Sequence, residues 1–329
     1  MTRTDPQKRV AVIAIGGNSL ITDKDHQTVE DQYAAAGETT RHIATMIKNG
    51  WDVAISHGNG PQVGFILRRS EIAAKVEGMH EIPLDVCGAD SQGAIGYALQ
   101  QNLYNGFREM GIDKSVATIV TQTEVSAQDP AFQNPTKPIG GFMSAEEAER
   151  RRLEDGWQVV EDAGRGWRRV VPSPQPVRIV EEEAVKALIN AGIVTITVGG
   201  GGIPVVADEE GNLHGTAAVI DKDLASALLA NVIGADMLII STAVEKVAIH
   251  FGTPNQQWLD EMTLDEARAY LAEGIHFAKG SMAPKIQAVI QFLERGGEHA
   301  IITNPENIAR ALAGETGTHI VRQRTAARA

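Results

Sequence analysis

The chain is poor in cysteine. Cys87 stands alone among 329 residues, which excludes an internal disulfide framework and a CxxC zinc site and fits a reducing compartment. Positive charge is also short: 30 Lys and Arg face 42 Asp and Glu, a formal net charge of -12. That balance argues against a nucleic-acid groove or an anionic membrane surface, so any anionic substrate must meet a local cluster of cations. No apolar run approaches the length of a membrane span, and the opening MTRTDPQKRV has no apolar signal core, so a cytoplasmic location is expected. Repeats, coiled-coil heptads and low-complexity tracts are missing as well.

Several nucleotide and metal motifs are absent. No GxxxxGKS or GxxxxGKT occurs, so the chain does not read as a P-loop NTPase; no GxGxxG with its acidic follower occurs, which weighs against a dinucleotide fold; and no HExxH accompanies any histidine.

What is present is a composition of 43% hydrophobic residues with 33 glycines, that of a globular chain with many tight turns. Strand-like runs at Arg9–Ile15, Asp52–Ser56, Ser115–Val120, Val194–Val198, Met237–Ser241 and Ala300–Thr303 alternate with helical patterns. Val29–Lys48 is one such helix, with Ile43, Met46 and Ile47 on one face and Gly50 closing it. Strand, glycine turn and helix in alternation predict an α/β fold with a parallel sheet.

The rhythm breaks between about Ser126 and Arg178, where QDPAFQNPTKPIG, AEEAERRRLEDGW and EDAGRGWRRVVPSPQP are rich in proline and charge. A structureless loop of that length is improbable in a compact domain, so a small protruding subdomain or lid is expected at about 126–178. VRIVEEEAVKALINAG then resumes with an acidic first helical turn and Gly192 at its end. Two lobes are expected, 1–178 and 179–329.

Three glycine-rich turns follow predicted strands. Gly16, Gly17, Asn18 and Ser19 end the first; SHGNGPQVG, with Gly58 and Asn59, ends the second; TVGGGGIPVV, with Gly200 and Gly201, ends a third. Glycines at strand ends let backbone N–H groups approach an oxyanion, and turns at the carboxyl ends of parallel strands share one crevice. An ordinary βα turn accounts for the first pair equally well, and His57 reads best as a hydrogen-bonded turn residue. The first turn contains no lysine or arginine, so its charge must come from elsewhere. The candidates are Lys137 in NPTKPIGG, Lys222 in AVIDKDLASALLA and Lys285 in FAKGSMAPKIQAV. Asp221 and Asp223 flank Lys222, either as the acidic start of a helix or as carboxylates that hold lysines in place. Positioned cations of this kind are what phosphoryl transfer requires.

Together IGGNSL, SHGNGPQVG, DPAFQNPTKPIG, EDAGRGWRRVVPSPQP, VGGGGIPVV, AVIDKDLASALLA and FAKGSMAPKI resemble the carbamate kinases of the amino-acid kinase family, in order from about Val10 to Val321. The resemblance implies a three-layer α/β/α sandwich with a largely parallel open sheet and a small protruding subdomain. In acetylglutamate kinase and aspartokinase the first glycines are preceded by lysine in a K-x-G-G pattern; here that position is Ala14, and the pattern resembled replaces that cation by Lys137. It implies an N-terminal lobe that holds carbamate or carbamoyl phosphate at Gly16, Gly17, Asn18, Gly58, Asn59, Gly200 and Gly201. The C-terminal lobe would take ATP or ADP at Lys222, Asp223, Thr242, Ala243, Val244, Lys279, Gly280, Met282, Pro284 and Lys285.

In that reading Lys137, Lys222 and Lys285 are catalytic and Asp223 orients them, Mg2+ is carried by nucleotide phosphates and water with no metal cage, and the assembly is a homodimer. His250, Phe251 and Trp258 are further candidates to pack on the base. Small molecules are then the partners, with no nucleic acid and no membrane. The competing readings are a kinase of the same fold for another small carboxylate or phosphonate, a non-catalytic nucleotide-binding regulator and, more distantly, a nicotinamide-dependent oxidoreductase.

Overall fold

The computed structural model describes residues 8–16, 28–59, 62–162, 164–278 and 280–324. The chain opens with β1 (Arg9–Ile15), α1 (Val29–Lys48) and β2 (Trp51–His57). β1 is a Val/Ile/Ala run and β2 centres on Val53, Ala54 and Ile55, and both are buried on both faces, as the central strands of a covered parallel sheet must be. Thr28 starts α1 with a capping box, accepting from the Asp31 N–H at 3.2 Å while Asp31 accepts from the Thr28 N–H at 3.0 Å. Ile43, Met46 and Ile47 are buried along its inner face, as their spacing predicts.

There follow α2 (Gln62–Glu77), α3 (Leu84–Met110), β3 (Val116–Thr118), β4 (Gln122–Val125), β5 (Lys137–Met143), α4 (Ala145–Glu154), β6 (Gln158–Glu161), β7 (Trp167–Val171) and β8 (Pro176–Ile179). Next come α5 (Glu182–Asn190), β9 (Val194–Ile196), β10 (Ile203–Ala207), β11 (Leu213–Gly215), α6 (Lys222–Val232), β12 (Met237–Ser241), β13 (Val247–Ile249) and β14 (Gln257–Leu259). The chain closes with β15 (Glu261–Thr263), α7 (Leu264–Glu273), α8 (Met282–Glu294), β16 (His299–Thr303), α9 (Ile308–Leu312) and β17 (Thr318–Val321).

Eight strands form the central sheet in the order β15-β17-β16-β12-β1-β2-β9-β3, parallel except for the β16–β17 pair. Alternate residues of β1 serve opposite faces. Val10, Val12 and Ala14 pack with Leu228, Val289 and Phe292 of α6 and α8, whereas Ala11, Ile13 and Ile15 pack with Ile43, Leu99 and Phe107 of α1 and α3. This is the expected three-layer α/β/α sandwich. The six strands from β16 to β3 share one direction and end at one edge, and β1, flanked by β12 and β2, marks the point where the strand order switches direction and where such sheets open a ligand crevice.

The stretch read as a lid is more ordered than its composition suggests. β5, β7 and β6 form a separate three-stranded antiparallel sheet, with α4 packed against it and capped by Ser144. β8 instead joins β4, β10 and β11 in a second mixed sheet. The small sheet seats on α2 through a contact that only glycine permits: a Cβ on Gly64 would lie 2.5 Å from the Gly140 Cα, and Gly140 itself has φ +70°. Gly64→Ala is therefore expected to lift this sheet from α2, read as faster proteolytic cleavage near 126–178 with the thermal transition of the remaining core little changed.

Candidate active site

The carboxyl ends of β1, β2, β9, β12 and β16 converge on a single cleft of about 1220 Å³. Gly16 lies there after β1, Gly58 and Asn59 after β2, and Gly200 after β9. Thr242 and Ala243 follow β12, and Gly280, Pro284 and Lys285 reach in from the start of α8. Gly17, Asn18 and Lys279 fall outside the described residues. Gly201, Val244 and Met282 are not part of the cleft lining among the described residues. Gly201 instead packs against the Ile220 carbonyl, where a Cβ would stand 2.6 Å away.

The turn after β1 is tied to both neighbours. The Gly16 N–H donates to the Ser241 carbonyl at 3.1 Å and the Gly58 N–H to the Ile15 carbonyl at 2.9 Å. Asn59 accepts from the Ser91 hydroxyl at 2.8 Å, and Gly200, at φ +66°, lets that amide side chain come against its backbone: a Cβ would sit 2.0 Å from Asn59 Oδ1. Gln92 fixes the glycine run from below, donating through Nε2 to the carbonyls of Thr121 at 3.0 Å and Gly199 at 2.9 Å. The run is therefore held by the protein around it and is not a flexible loop.

The cations come from three distant segments. Lys137 opens β5, Lys222 opens α6 and Lys285 lies in the first turn of α8. Asp223 accepts from Lys222 through Oδ1 and from Lys285 through Oδ2 at 2.8 Å, with only 4% of its side chain exposed. Asp221 takes both of the roles its sequence context allows. Its Oδ1 caps α6 by accepting the Asp223 N–H at 2.9 Å, while its Oδ2 accepts Lys137 Nζ at 2.8 Å. Three ammonium groups thus face two carboxylates, leaving net positive charge inside a chain whose overall charge is negative.

The electrostatics follow from burial. Desolvation opposes ionisation of Asp223, but the Lys222 and Lys285 ammonium groups overcome it and hold the carboxyl well below the usual carboxylate range. Burial pulls Lys222 below the ordinary lysine value, against the attraction of Asp223 and with the repulsion of Lys285.

His57 is buried, with Nδ1 donating to the Gly58 carbonyl at 3.0 Å, and burial pushes its pKa down to about 4. It is a neutral turn histidine, as read from its context. His299 is likewise pushed down to about 4, by burial and by His319. Unfolded histidines bind a proton near 6.5, so between about 6.5 and about 4 the unfolded chain holds more protons and stability falls as pH falls. His57 alone contributes on the order of 3 kcal/mol across that window. Denaturant midpoints are expected to drop through this range and His57→Gln to flatten the slope; a slope the substitution leaves intact would contradict the assignment.

Sequence reading missed four features of the cleft. These are the Lys137–Asp221 pair, the Ser91 and Gln92 supports, Arg165 and Arg168 on the wall, and Asn304 to Glu306 beyond β16. A signal existed for the last: Asn304 directly follows a strand, as Gly16 does. His250, Phe251 and Trp258 do not line the cleft; Phe251 and Trp258 are exposed and pack edge to face, and His250 packs on His276.

Among the described residues no helix is long and apolar enough to cross a membrane, and no group of three or more His, Cys, Asp or Glu could hold a metal ion.

Known proteins resemble the chain over nearly its whole length. The family model described as "Amino acid kinase family" matches residues 9–304. Carbamate kinase-like protein YahI of Escherichia coli is 52% identical, covering 96% of this chain and 99% of its own. Carbamate kinase of Pyrococcus furiosus is 49% identical over 95% of this chain and 99% of its own. The structure of carbamate kinase from Giardia lamblia bound to AMP-PNP superposes with a TM-score of 0.88 at 41% identity, covering 96% and 99% of the two chains. The chain belongs to the amino acid kinase family, among its carbamate kinases and carbamate kinase-like proteins.

Proposed function

We propose that the protein is a carbamate kinase, a phosphotransferase that moves a phosphoryl group between ATP and carbamate. The observation that carries this reading is the convergence of Lys137, Lys222 and Lys285 on Asp221 and Asp223 at the sheet edge, where Ala14 leaves the first glycine turn without a cation.

In the direction of ATP formation, a β-phosphate oxygen of ADP attacks the phosphorus of carbamoyl phosphate. The bond from phosphorus to the carbamate oxygen breaks, and carbamate leaves and decomposes to ammonia and CO2. The nucleophile and the leaving group are anions at neutral pH, so no general base is required. Catalysis is then positioning and charge stabilisation, which the lysine cluster supplies. Gly16, Gly58, Asn59 and Gly200 hold the carbamoyl end, and Thr242, Ala243, Gly280 and Pro284 hold the nucleotide. Asp221 and Asp223 are already engaged by lysines, so the magnesium of this reading arrives on the nucleotide phosphates as part of the substrate.

The same reading divides the chain into a carbamoyl-binding lobe, 1–178, carrying a lid at 126–178, and a nucleotide-binding lobe, 179–329. It makes the protein a cytoplasmic homodimer with a place in arginine, agmatine or purine breakdown. Light scattering after gel filtration tests the dimer.

Asp221 acts on the reaction by seating Lys137. Asp221→Asn keeps the helix cap, because asparagine caps as well as aspartate, but removes the charge that receives the lysine. Turnover is expected to fall about tenfold with stability within ~0.5 kcal/mol of wild type. In a Lys137→Ala background the same change should cost nothing further. An additive loss would show that Asp221 does not work through Lys137.

A further inference from the structure

The stretch GRGWRR at residues 164–169 leaves two arginines that the reaction above does not use. Arg165 and Arg168 both line the cleft. One carboxylate serves the pair: Asp162 accepts from Arg165 at 2.8 Å and from Arg168 at 3.4 Å. Their guanidinium carbons lie 5.1 and 5.4 Å from the centroid of the Phe142 ring, which gathers the two charges on one support. Arg168 Nε is buried and has no hydrogen-bond partner, so this guanidinium is desolvated on one side without a compensating acceptor, while the rest of the side chain remains 23% exposed. Arg169 is used differently: its guanidinium lies 4.7 Å from the Trp157 centroid and is not part of the cleft lining.

The pattern repeats the one at the sheet edge, where a single carboxylate, Asp223, holds two cations side by side. In both places one positive charge is left over and faces the same cavity. A structural ion pair accounts for one arginine on Asp162, but not for a second on the same carboxylate together with an unpartnered Nε.

We propose that Arg165 and Arg168 form a second anion site on the cleft wall that binds a substrate phosphate group, with Arg168 as its principal contact. A planar guanidinium matches two phosphate oxygens at once, which an ammonium cannot do. The phosphate belongs either to carbamoyl phosphate or to the nucleotide; this choice rests on the kinase reading, whereas the anion site itself does not.

The test is equilibrium titration of the full-length protein with inorganic phosphate and, separately, with ADP. Loss of a charge-assisted hydrogen bond predicts that Arg168→Ala weakens phosphate binding about tenfold or more and that Arg168→Lys recovers only part of it. Arg165→Ala, whose side chain is 62% exposed and whose removal leaves the fold intact, should weaken phosphate by a smaller factor. A parallel loss for ADP assigns the site to the nucleotide, and unchanged ADP binding assigns it to carbamoyl phosphate. Wild-type affinity for both probes in the double variant would overturn the site. Because titration needs no turnover, a protein that binds phosphate through Arg168 yet forms no ATP would sink the kinase reading alone.

Discussion

Replacing Lys137 by alanine lowers the rate of ATP formation by about 10² to 10³, equivalent to ~3 to 4 kcal/mol of transition-state stabilisation, and leaves the fold in place. The rate effect is large because this lysine supplies the charge that the first glycine turn lacks: Ala14 is fully buried in β1 and nothing basic adjoins Gly16 in sequence. The stability effect is small because the side chain is one-third exposed and its partner Asp221 keeps a second bond, as the cap of α6. Such partly exposed pairs are worth at most about 1 kcal/mol. The checks are kcat at saturating ADP and carbamoyl phosphate, and a thermal midpoint beside wild type. A variant with near-normal kcat would remove Lys137 from the mechanism.

Asp223→Asn is expected to damage both rate and stability. The carboxylate is almost fully buried, and the two ammonium groups it holds are only 11% and 14% exposed, so its loss leaves two like charges unpaired in a low-dielectric site. Breaking a buried pair in this way costs about 3 to 5 kcal/mol, against well under that for an exposed one. Turnover should fall at least as far as in Lys137→Ala, since two of the three cations lose their position.

The pH dependence has a definite sign. The folded carboxyl titrates below its unfolded value, so its stabilisation is fully present above about pH 4 and is lost only as pH falls into stronger acid. Wild type and variant should therefore differ most near neutrality and converge in acid. Adding Lys285→Met to Asp223→Asn should restore part of the stability, by removing one stranded charge, and none of the rate. Recovery of rate would mean that Lys285 has no part in the chemistry.

The sandwich was legible because its central strands are covered on both faces. Burial of nearly every residue in β1 forces a continuous Val/Ile/Ala run from Val10 to Ile15, β2 carries a shorter one at Val53–Ile55, and β1, α1 and β12 begin and end where the pattern places them. The third expected strand is shorter than read, Val116–Thr118 in place of Ser115–Val120, although the Ile119 N–H still donates to the Ile196 carbonyl at 2.9 Å; Gln100 from α3 accepts the Thr118 N–H at 3.0 Å on the open edge of the strand. The strands of the small sheet were not legible: Gln158, Arg168 and Arg169 put polar side chains where a covered strand would have apolar ones, and β6 is largely exposed.

For the site, the three lysines stood out by their glycine- and proline-rich surroundings. Which carboxylate each would meet did not, since Lys137 and Asp221 are 84 residues apart and only the folded sheet brings them together. The aromatic residues near 250 to 258 looked suited to a base by composition alone; the hairpin of β13 and β14 carries them away from the cleft lining.

The proposed reaction moves a phosphoryl group between carbamoyl phosphate and ADP under the charge of three lysines. The most direct measurement is ATP formed from ADP, magnesium and carbamoyl phosphate by the purified protein, run beside Lys137→Ala. Rapid ATP formation is expected from the wild type, with a loss of about 10² to 10³ in the variant. A folded wild-type protein that binds ADP and makes no ATP would contradict it.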